Sequence, residues 1–448
     1  MKRLLFCRLG ILSFIVCTIC SCSVQKQIAK SAKLLINDPV VENAHIGISV
    51  FDPAENKYWY GYQADKYFTP ASNTKIFSCY AAMKYLGDSL ITFHYSENDT
   101  ALFIVPNGDP TFLHPDFKQQ PAVQFLQKTK KKIYVIDNNW KDAAWGSGWS
   151  WDDYNGAYMA ERSVFPVYGN VIKWIQSKDT SEEAVIMNRQ DVSVFSEPEV
   201  NWPVNFNTNI HDSTFHVERK LTENEFNINQ GNEAYAEQEI PFITKGIQSA
   251  LELLKDTIGR EILATNKFKN TKSLTPLHSQ PLDSLLKQMM YRSDNFFAEQ
   301  CLLMVSNKLF GYMNDEKVID TLLKTDLKDL PQKPNWADGS GLSRYDAFTP
   351  QDFISILNKM KNEFGIKRMQ GIFPTGGTGT LKNYYKTDSG YFFAKTGSLS
   401  DVIALSGFFY TRKNKLLFFS VLVNNHHSTP FIIRKAVERF LQGIRNKY

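Results

Sequence analysis

Two hydrophobic periods alternate along this 448-residue chain, and the change of period divides it. Near the start, Ile28, Ala32 and Leu35 recur at helical spacing among lysines, which predicts a helix within Val24 to Ile36. Ala44 to Phe51 and Lys57 to Tyr62 read as strands around the turn Pro53-Ala54-Glu55-Asn56, a hairpin. An apolar helix follows from about Ser72, through Ile76, Phe77, Ala81, Ala82, Met83 and Leu86. The other end repeats the theme. Val402 to Tyr410 and Leu416 to Val423 are β-rich runs joined by the polar turn Thr411 to Lys415, and an amphipathic helix follows from about Pro430 to Gln442. Strands and helix at both ends predict one antiparallel sheet built from the two ends of the chain. The middle differs. Short strand-like runs fill residues 89–240: Leu90 to His94, Ala101 to Val105, Ile133 to Ile136, Val185 to Met187, Val192 to Phe195 and Phe215 to Val217. Turn signals such as Asn107-Gly108-Asp109-Pro110 separate them. Helix returns over Phe242 to Lys255 and Leu282 to Met290. The expected organisation is a first part of one domain at 22–88, inserted β-rich domains at 89–240 and the second part of the first domain at 241–448.

Residues 1–21 stand apart. Lys2, Arg3 and Arg8 precede a mostly apolar stretch from Ile11 to Ile19, then Ile19-Cys20-Ser21-Cys22. A charged head, a short apolar core and small residues describe a secretory signal, and the core is too short to span a bilayer. The last four residues resemble a bacterial lipobox, which implies cleavage before Cys22 and lipidation of that residue; an ordinary signal peptide is the plainer alternative. Multiple acyl chains anchor a protein firmly to a membrane. Cleavage would remove three basic residues and no acid, taking the formal charge from +5 to about +2. No basic run interleaved with aromatics stands out, so no nucleic-acid partner is expected. Of six cysteines, Cys22, Cys79 and Cys301 would remain. Export permits a disulfide, yet two buried thiols are the expected state of Cys79 and Cys301. His426-His427 reads as a polar turn, and no metal site is expected. Hydrophobic residues make up 43% of the chain, enough for sizeable cores in two or three domains.

Three short strings carry the chemistry: Ser72-Asn73-Thr74-Lys75, Ser293-Asp294-Asn295 and Lys395-Thr396-Gly397. They read S-x-x-K, S-x-N and K-T-G, the ordered triplet of serine acyl-transfer enzymes. Each alone is weak, because Ser284-Leu285-Leu286-Lys287 and Ser96-Glu97-Asn98 repeat two of them. Context separates the copies. Ser72 stands where a loop containing Pro70 becomes a helix, whereas Ser284 lies within a helical run, and the K-T-G occurs once. A serine hydroxyl needs a neighbouring base. Lys75, one turn after Ser72, shares its helix face. A lysine with an ordinary pKa near ~10.4 serves as base only when its neutral form is accessible. Desolvation and a nearby cation favour that form, and Lys395 is the expected cation.

With order and spacing in place, the chain resembles the D-alanyl-D-alanine carboxypeptidases/endopeptidases of the penicillin-binding protein 4 (DacB) type, the class C low-molecular-mass penicillin-binding proteins. Further matching stretches are Gly108 to Thr111, Gly148-Trp149-Ser150-Trp151-Asp152-Asp153, Arg292 to Gln300, Asp338-Gly339-Ser340-Gly341-Leu342-Ser343-Arg344, Gly379 to Leu381, Ala394 to Leu399 and Ala404 to Gly407. The likeness is weakest over about 165–235. It implies an α+β, multidomain fold: a β-lactamase/transpeptidase-like domain, with an antiparallel sheet flanked by helices on both faces and an all-helical region, interrupted by inserted β-rich domains. It also implies a bacterial envelope location facing the periplasm, peptidoglycan stem peptides as substrate, β-lactams as covalent inhibitors and no cofactor. By this resemblance Ser72 is the nucleophile and Lys75 its base. Ser293 passes the proton to the departing D-alanine amine, and Asn295 orients the substrate amide. Lys395 and Thr396 hold the terminal carboxylate, and Gly397 leaves the strand edge open. The backbone N–H groups of Ser72 and Ser398 would meet the oxyanion, each such donor contributing roughly 3–4 kcal/mol. Asp153 and Arg344 match positions that in some members line a pocket for the charged end of the diamino acid; the alternative is a surface acid and a structural arginine. Trp140, Trp145, Trp149 and Trp151 are expected in core packing rather than as a glycan-contacting surface.

Other readings fit less well. A class A β-lactamase is shorter, and Ser96-Glu97-Asn98 lies too near Ser72 to serve as its S-x-N. An esterase of the same superfamily normally carries tyrosine where Ser293 stands. A catalytically inactive penicillin- or cell-wall-binding lipoprotein would not need the intact nucleophile and base.

Overall fold

The computed structural model describes residues 25–179, 192–207, 214–266 and 274–448. Cys22, the signal segment and the strand expected at Val185 to Met187 lie outside them. In chain order, helix α1 (residues 25–36) leads into strands β1 (His45–Asp52) and β2 (Lys57–Tyr62), then helix α2 (Lys75–Tyr85). The insertion begins with β3 (Ser89–Glu97), β4 (Ala101–Pro106), α3 (Pro121–Lys128) and β5 (Lys132–Val135). It continues through β6 (Val171–Lys178), β7 (Val192–Glu197), β8 (Val204–Asn207), β9 (His216–Arg219), β10 (Phe226–Asn229) and β11 (Tyr235–Pro241). Next come α4 (Gln248–Ile258), β12 (Ile262–Ala264) and β13 (Thr275–Pro281). A helical region follows: α5 (Leu282–Arg292), α6 (Asn295–Phe310), α7 (Asp315–Lys324), α8 (Pro350–Phe364) and α9 (Ile366–Ile372). The chain closes with β14 (Phe392–Leu399), β15 (Val402–Tyr410), β16 (Leu416–Asn424) and α10 (Pro430–Lys447).

The two ends do build one sheet, in the order β14-β15-β16-β1-β2. β1 pairs antiparallel with β16, Ile48 opposite Val421, so residues 373 apart in sequence are neighbours. β1, β15 and β16 are buried on both faces, which is why they read as near-continuous apolar runs rather than alternations. One face packs under α1 and α10, through Ile28, Leu35, Ile433, Val437, Phe440 and Val421. The other packs on the helical region, where Phe77, Phe348, Phe353, Phe408 and Phe418 share a core with Leu302 and Leu357. β14 is an edge strand, and it carries the K-T-G.

The insertion differs from expectation at its far end. β12 pairs with β5, and β13 with β3, so the sheet order is β12-β5-β4-β3-β13. β12 and β13 therefore pair within the insertion's sheet, on the C-terminal side of the boundary expected at 240. The expected helix from Phe242 begins instead at Gln248, after Gly246 at φ 73°, because Phe242 is buried in the insertion core. Two further three-stranded sheets, β8-β10-β9 and β11-β6-β7, share that core through Trp174, Val217, Phe226 and Ile240.

Candidate active site

The nucleophile string folds as a single 3-10 turn, Ala71–Thr74, running straight into α2 with Lys75 as the first α-helical residue. The turn is held from both sides. Asn73 donates its amide to the Lys395 carbonyl at 2.8 Å and accepts from the Ser406 backbone and hydroxyl, which ties it to β14 and β15. On the other side Gly341, at φ 78°, lies so close that a Cβ there would stand 1.9 Å from the Ala71 carbonyl oxygen; only glycine fits.

Lys75 is fully buried. Its Nζ donates to Ser72 Oγ at 3.0 Å, Asn295 Oδ1 at 2.6 Å and the Ser340 carbonyl at 2.8 Å. Burial pulls its pKa down to about 8, against the carboxylates of Asp338, Glu299, Asp294 and Asp346, which pull the other way. Desolvation thus outweighs four acids and brings the Lys75 amine close to physiological pH. Lys395 is also fully buried and sits well below its ordinary value, first through desolvation and then through repulsion from Lys75 and Arg434. Desolvation is the main cause for both lysines, and the repulsion between them disfavours charging both at once.

Ser293 occupies the joint between α5 and α6. It takes the left-handed conformation, φ 63°, as C-cap of α5, while Asp294 caps α6 by accepting from the Phe297 amide at 2.9 Å. A non-glycine residue there costs roughly 1–2 kcal/mol, which an Asp cap worth ~1 kcal/mol offsets in part. The result aims Ser293 Oγ at Lys395, whose Nζ donates to it at 2.8 Å. Asn295 spans the site, its Oδ1 facing Lys75 and its Nδ2 donating to the Tyr158 carbonyl at 2.9 Å.

Above these groups opens a cleft of about 820 Å³ whose walls include Ser72, Asn295, Ser398, Asp153 and Arg344. Asp153 accepts from the Tyr158 hydroxyl, whose pKa burial and that acid push up to about 12. Arg344 pairs with Asp401 at 2.8 Å, both half exposed. Thr396 also lines a small cavity with Leu381, Tyr384 and Arg434. Gly397 faces the nucleophile turn, with its absent Cβ 2.7 Å from the Pro70 carbonyl oxygen and 3.1 Å from the Ser72 nitrogen. Ser284 and Lys287 sit on exposed positions of α5, away from this assembly.

Several contributors were not identified as functional from sequence. Asp338 organises the loop beneath the nucleophile, accepting from Gly341 N at 2.6 Å, Ser343 N at 2.7 Å and Trp149 Nε1 at 2.8 Å. Glu299 accepts from Ser340 N at 2.8 Å, so it fixes the carbonyl that receives Lys75. Arg162, 2% exposed, bonds Glu299, Asp142 and Asp315 and lies against Trp149. Arg434 reaches from α10 to donate to Ser398 Oγ. Asp338 and Glu299 lie in stretches singled out for their resemblance; Arg162 and Arg434 carry no local signal. Of the tryptophans, Trp149 braces the site, and Trp151, expected inside, is 69% exposed. Cys79 and Cys301 are buried free thiols.

A serine and lysine on one turn, a second serine held by a second buried lysine, and an edge strand beside both define a serine acyl-transfer hydrolase of the transpeptidase-like fold. The comparisons narrow this. Residues 26–443 match the D-Ala-D-Ala carboxypeptidase 3 (S13) family, and the chain belongs to it. It is 24% identical over 447 residues to the D-alanyl-D-alanine carboxypeptidase DacB of Haemophilus influenzae, covering 91% of each chain. It is 28% identical over 214 residues to carboxypeptidase DacB of Mycolicibacterium smegmatis, a match that spans 45% of each. The crystal structure of penicillin-binding protein 4 from H. influenzae superposes with a TM-score of 0.72 at 19% identity, covering 94% of this chain and 98% of that one, and so shares the fold.

Proposed function

We propose that this chain is a serine-type D-alanyl-D-alanine carboxypeptidase, with endopeptidase capacity, that acts on peptidoglycan stem peptides through an acyl-enzyme on Ser72. The observation that carries this reading is the pairing of Lys75 Nζ with Ser72 Oγ at 3.0 Å while Lys395 Nζ holds Ser293 Oγ at 2.8 Å. Neutral Lys75 takes the Ser72 proton as Oγ attacks the penultimate D-alanyl carbonyl. Ser293 delivers its proton to the departing amine and is restored by the proton that Lys75 took from Ser72. The substrate's terminal carboxylate meets Lys395 and Arg434; an anion there favours the charged form of Lys395, and a positive Lys395 in turn favours neutral Lys75. Water then hydrolyses the ester. The same steps, stopped at the ester, account for acylation by penicillins; the H. influenzae protein has been crystallised with a β-lactam. Asp153 and Arg344, on the wall beyond Ser398, are assigned to the charged end of the diamino acid.

The lipobox-like Ile19-Cys20-Ser21-Cys22 supports a lipid anchor at Cys22 and a place in the bacterial envelope, facing the periplasm. Among the described residues no helix is long and apolar enough to cross a membrane. Mass spectrometry of purified muropeptides incubated with the protein tests the activity: loss of one D-alanine from pentapeptides, abolished by Ser72→Ala, is expected. Unchanged muropeptides would refute it. Fractionation of the Cys22→Ala variant tests the anchor, and retention in the membrane fraction would refute that part.

A further inference from the structure

We infer that the catalytic cleft continues across the insertion as a groove that holds the glycan strand of the substrate, an inference that rests on the peptidoglycan reading above. The Ser72 cleft shares the walls Tyr158 and Asn295 with a second cavity of about 300 Å³. That cavity shares Pro115, Tyr168, Val171 and Glu239 with a third, of about 520 Å³, reaching Glu199 and Asp256. The three cavities therefore adjoin in a row from Ser72 to the far side of the insertion. The first cleft alone has the size that a compact ligand fills, so a stem peptide held there leaves the other two for a longer molecule to which it is joined.

The chemistry of the far end selects which part of that molecule. Its floor is apolar, from Leu113, Pro115, Val171 and Pro198, with Tyr168 beside them. Its rim carries the acids Glu197, Glu199, Glu239 and Asp256 against one cation, Lys173, which already pairs with Glu237 at 3.3 Å. A stem peptide bears free carboxylates and is repelled by such a rim. A glycan strand is largely uncharged. Its hydroxyl and amide groups donate to carboxylate oxygens, which accept only, and the C–H faces of its rings rest on proline and tyrosine.

The experiment uses two substrates: cross-linked peptidoglycan fragments with their glycan chains, and the same peptides freed of glycan by an amidase. The Glu199→Arg/Asp256→Arg variant changes two exposed side chains, where substitutions disturb folding little. The parent should cleave the glycan-bearing substrate with a kcat/KM about tenfold higher than the glycan-free one, and the variant should lose that preference mainly through KM. Glycan-free hydrolysis and benzylpenicillin acylation should stay within about twofold. A parent without preference, a variant that keeps it, or equal losses on both substrates would overturn the groove assignment while acylation still proceeds. Failure of the parent to be acylated would overturn the underlying reading instead.

Discussion

Gly397→Ala is the sharpest perturbation of the site that removes no chemical group. Gly397 lies in the edge strand β14, opposite Ala404, and its α-carbon faces the nucleophile turn. An added Cβ would stand 2.7 Å from the Pro70 carbonyl oxygen and 3.1 Å from both the Ser72 nitrogen and the Ala404 Cβ. Two of these three are backbone atoms, so no flexible side chain can move aside. Restoring an ordinary contact near 3.4 Å to the Pro70 oxygen requires the turn and strand to separate by about 0.7 Å. The turn is also tied to β14 through Asn73 and the Lys395 carbonyl, so Ser72 moves relative to Ser293 and Lys395. A misplacement of about 1 Å costs on the order of 10²-fold in rate, so benzylpenicillin acylation should slow by roughly 30–100-fold, about 2–3 kcal/mol of barrier. Overpacking of this kind destabilises by about 1–3 kcal/mol, so the variant should remain folded with a somewhat lower Tm. Second-order acylation rates with a fluorescent penicillin, read beside thermal melts, make the measurement. Gly371→Ala is the control, because Gly371 has no neighbour within 4 Å of its missing Cβ, and it should acylate like the parent. A Gly397→Ala rate within threefold of the parent would refute the close-approach reasoning.

Other outcomes follow from the same geometry. With Lys75 as the proposed neutral base and its pKa at about 8, the acylation rate should climb with pH and level off above that value. Asn295→Asp places a carboxylate against Nζ, favours the ammonium and should move the midpoint up by at least about one pH unit; a midpoint that stays or falls contradicts the assignment. Burial raises the Glu299 carboxyl from 4.5 to about 8, so the folded state holds an extra proton between those values and stability falls as pH rises through that window. Glu299→Gln should flatten this part of the Tm-against-pH curve, and an unchanged slope would be evidence against it. Asp153→Asn and Arg344→Ala should each lower turnover of a stem pentapeptide more than the rate of penicillin acylation, since penicillin lacks the diamino-acid side chain; equal losses would point to a structural role.

What was legible in the sequence tracks how local its cause is. The five-stranded sheet could be anticipated because β1, β15 and β16 are buried on both faces and bounded by clear turns, so their apolar runs announce themselves. The motif residues were legible because their order and the uniqueness of K-T-G are properties of the string itself. The end of the insertion was not. β12 has three residues, and β13 (Thr-Pro-Leu-His-Ser-Gln-Pro) carries two prolines and no apolar alternation. Both are strands only because distant partners, β5 and β3, receive them. The charge network beneath Lys75 was equally hidden. Arg162 and Glu299 are separated by 137 residues and meet only after the insertion folds against α6.

The proposed function requires that Ser72 Oγ, activated by Lys75, is the atom acylated. Peptide mapping by mass spectrometry after brief exposure to benzylpenicillin tests it most directly. One penicilloyl adduct is expected, on the peptide containing Ser72, absent from Ser72→Ala and formed at least about a thousandfold more slowly in Lys75→Met. An adduct on Ser284, or a Ser72→Ala variant labelled as fast as the parent, would contradict it.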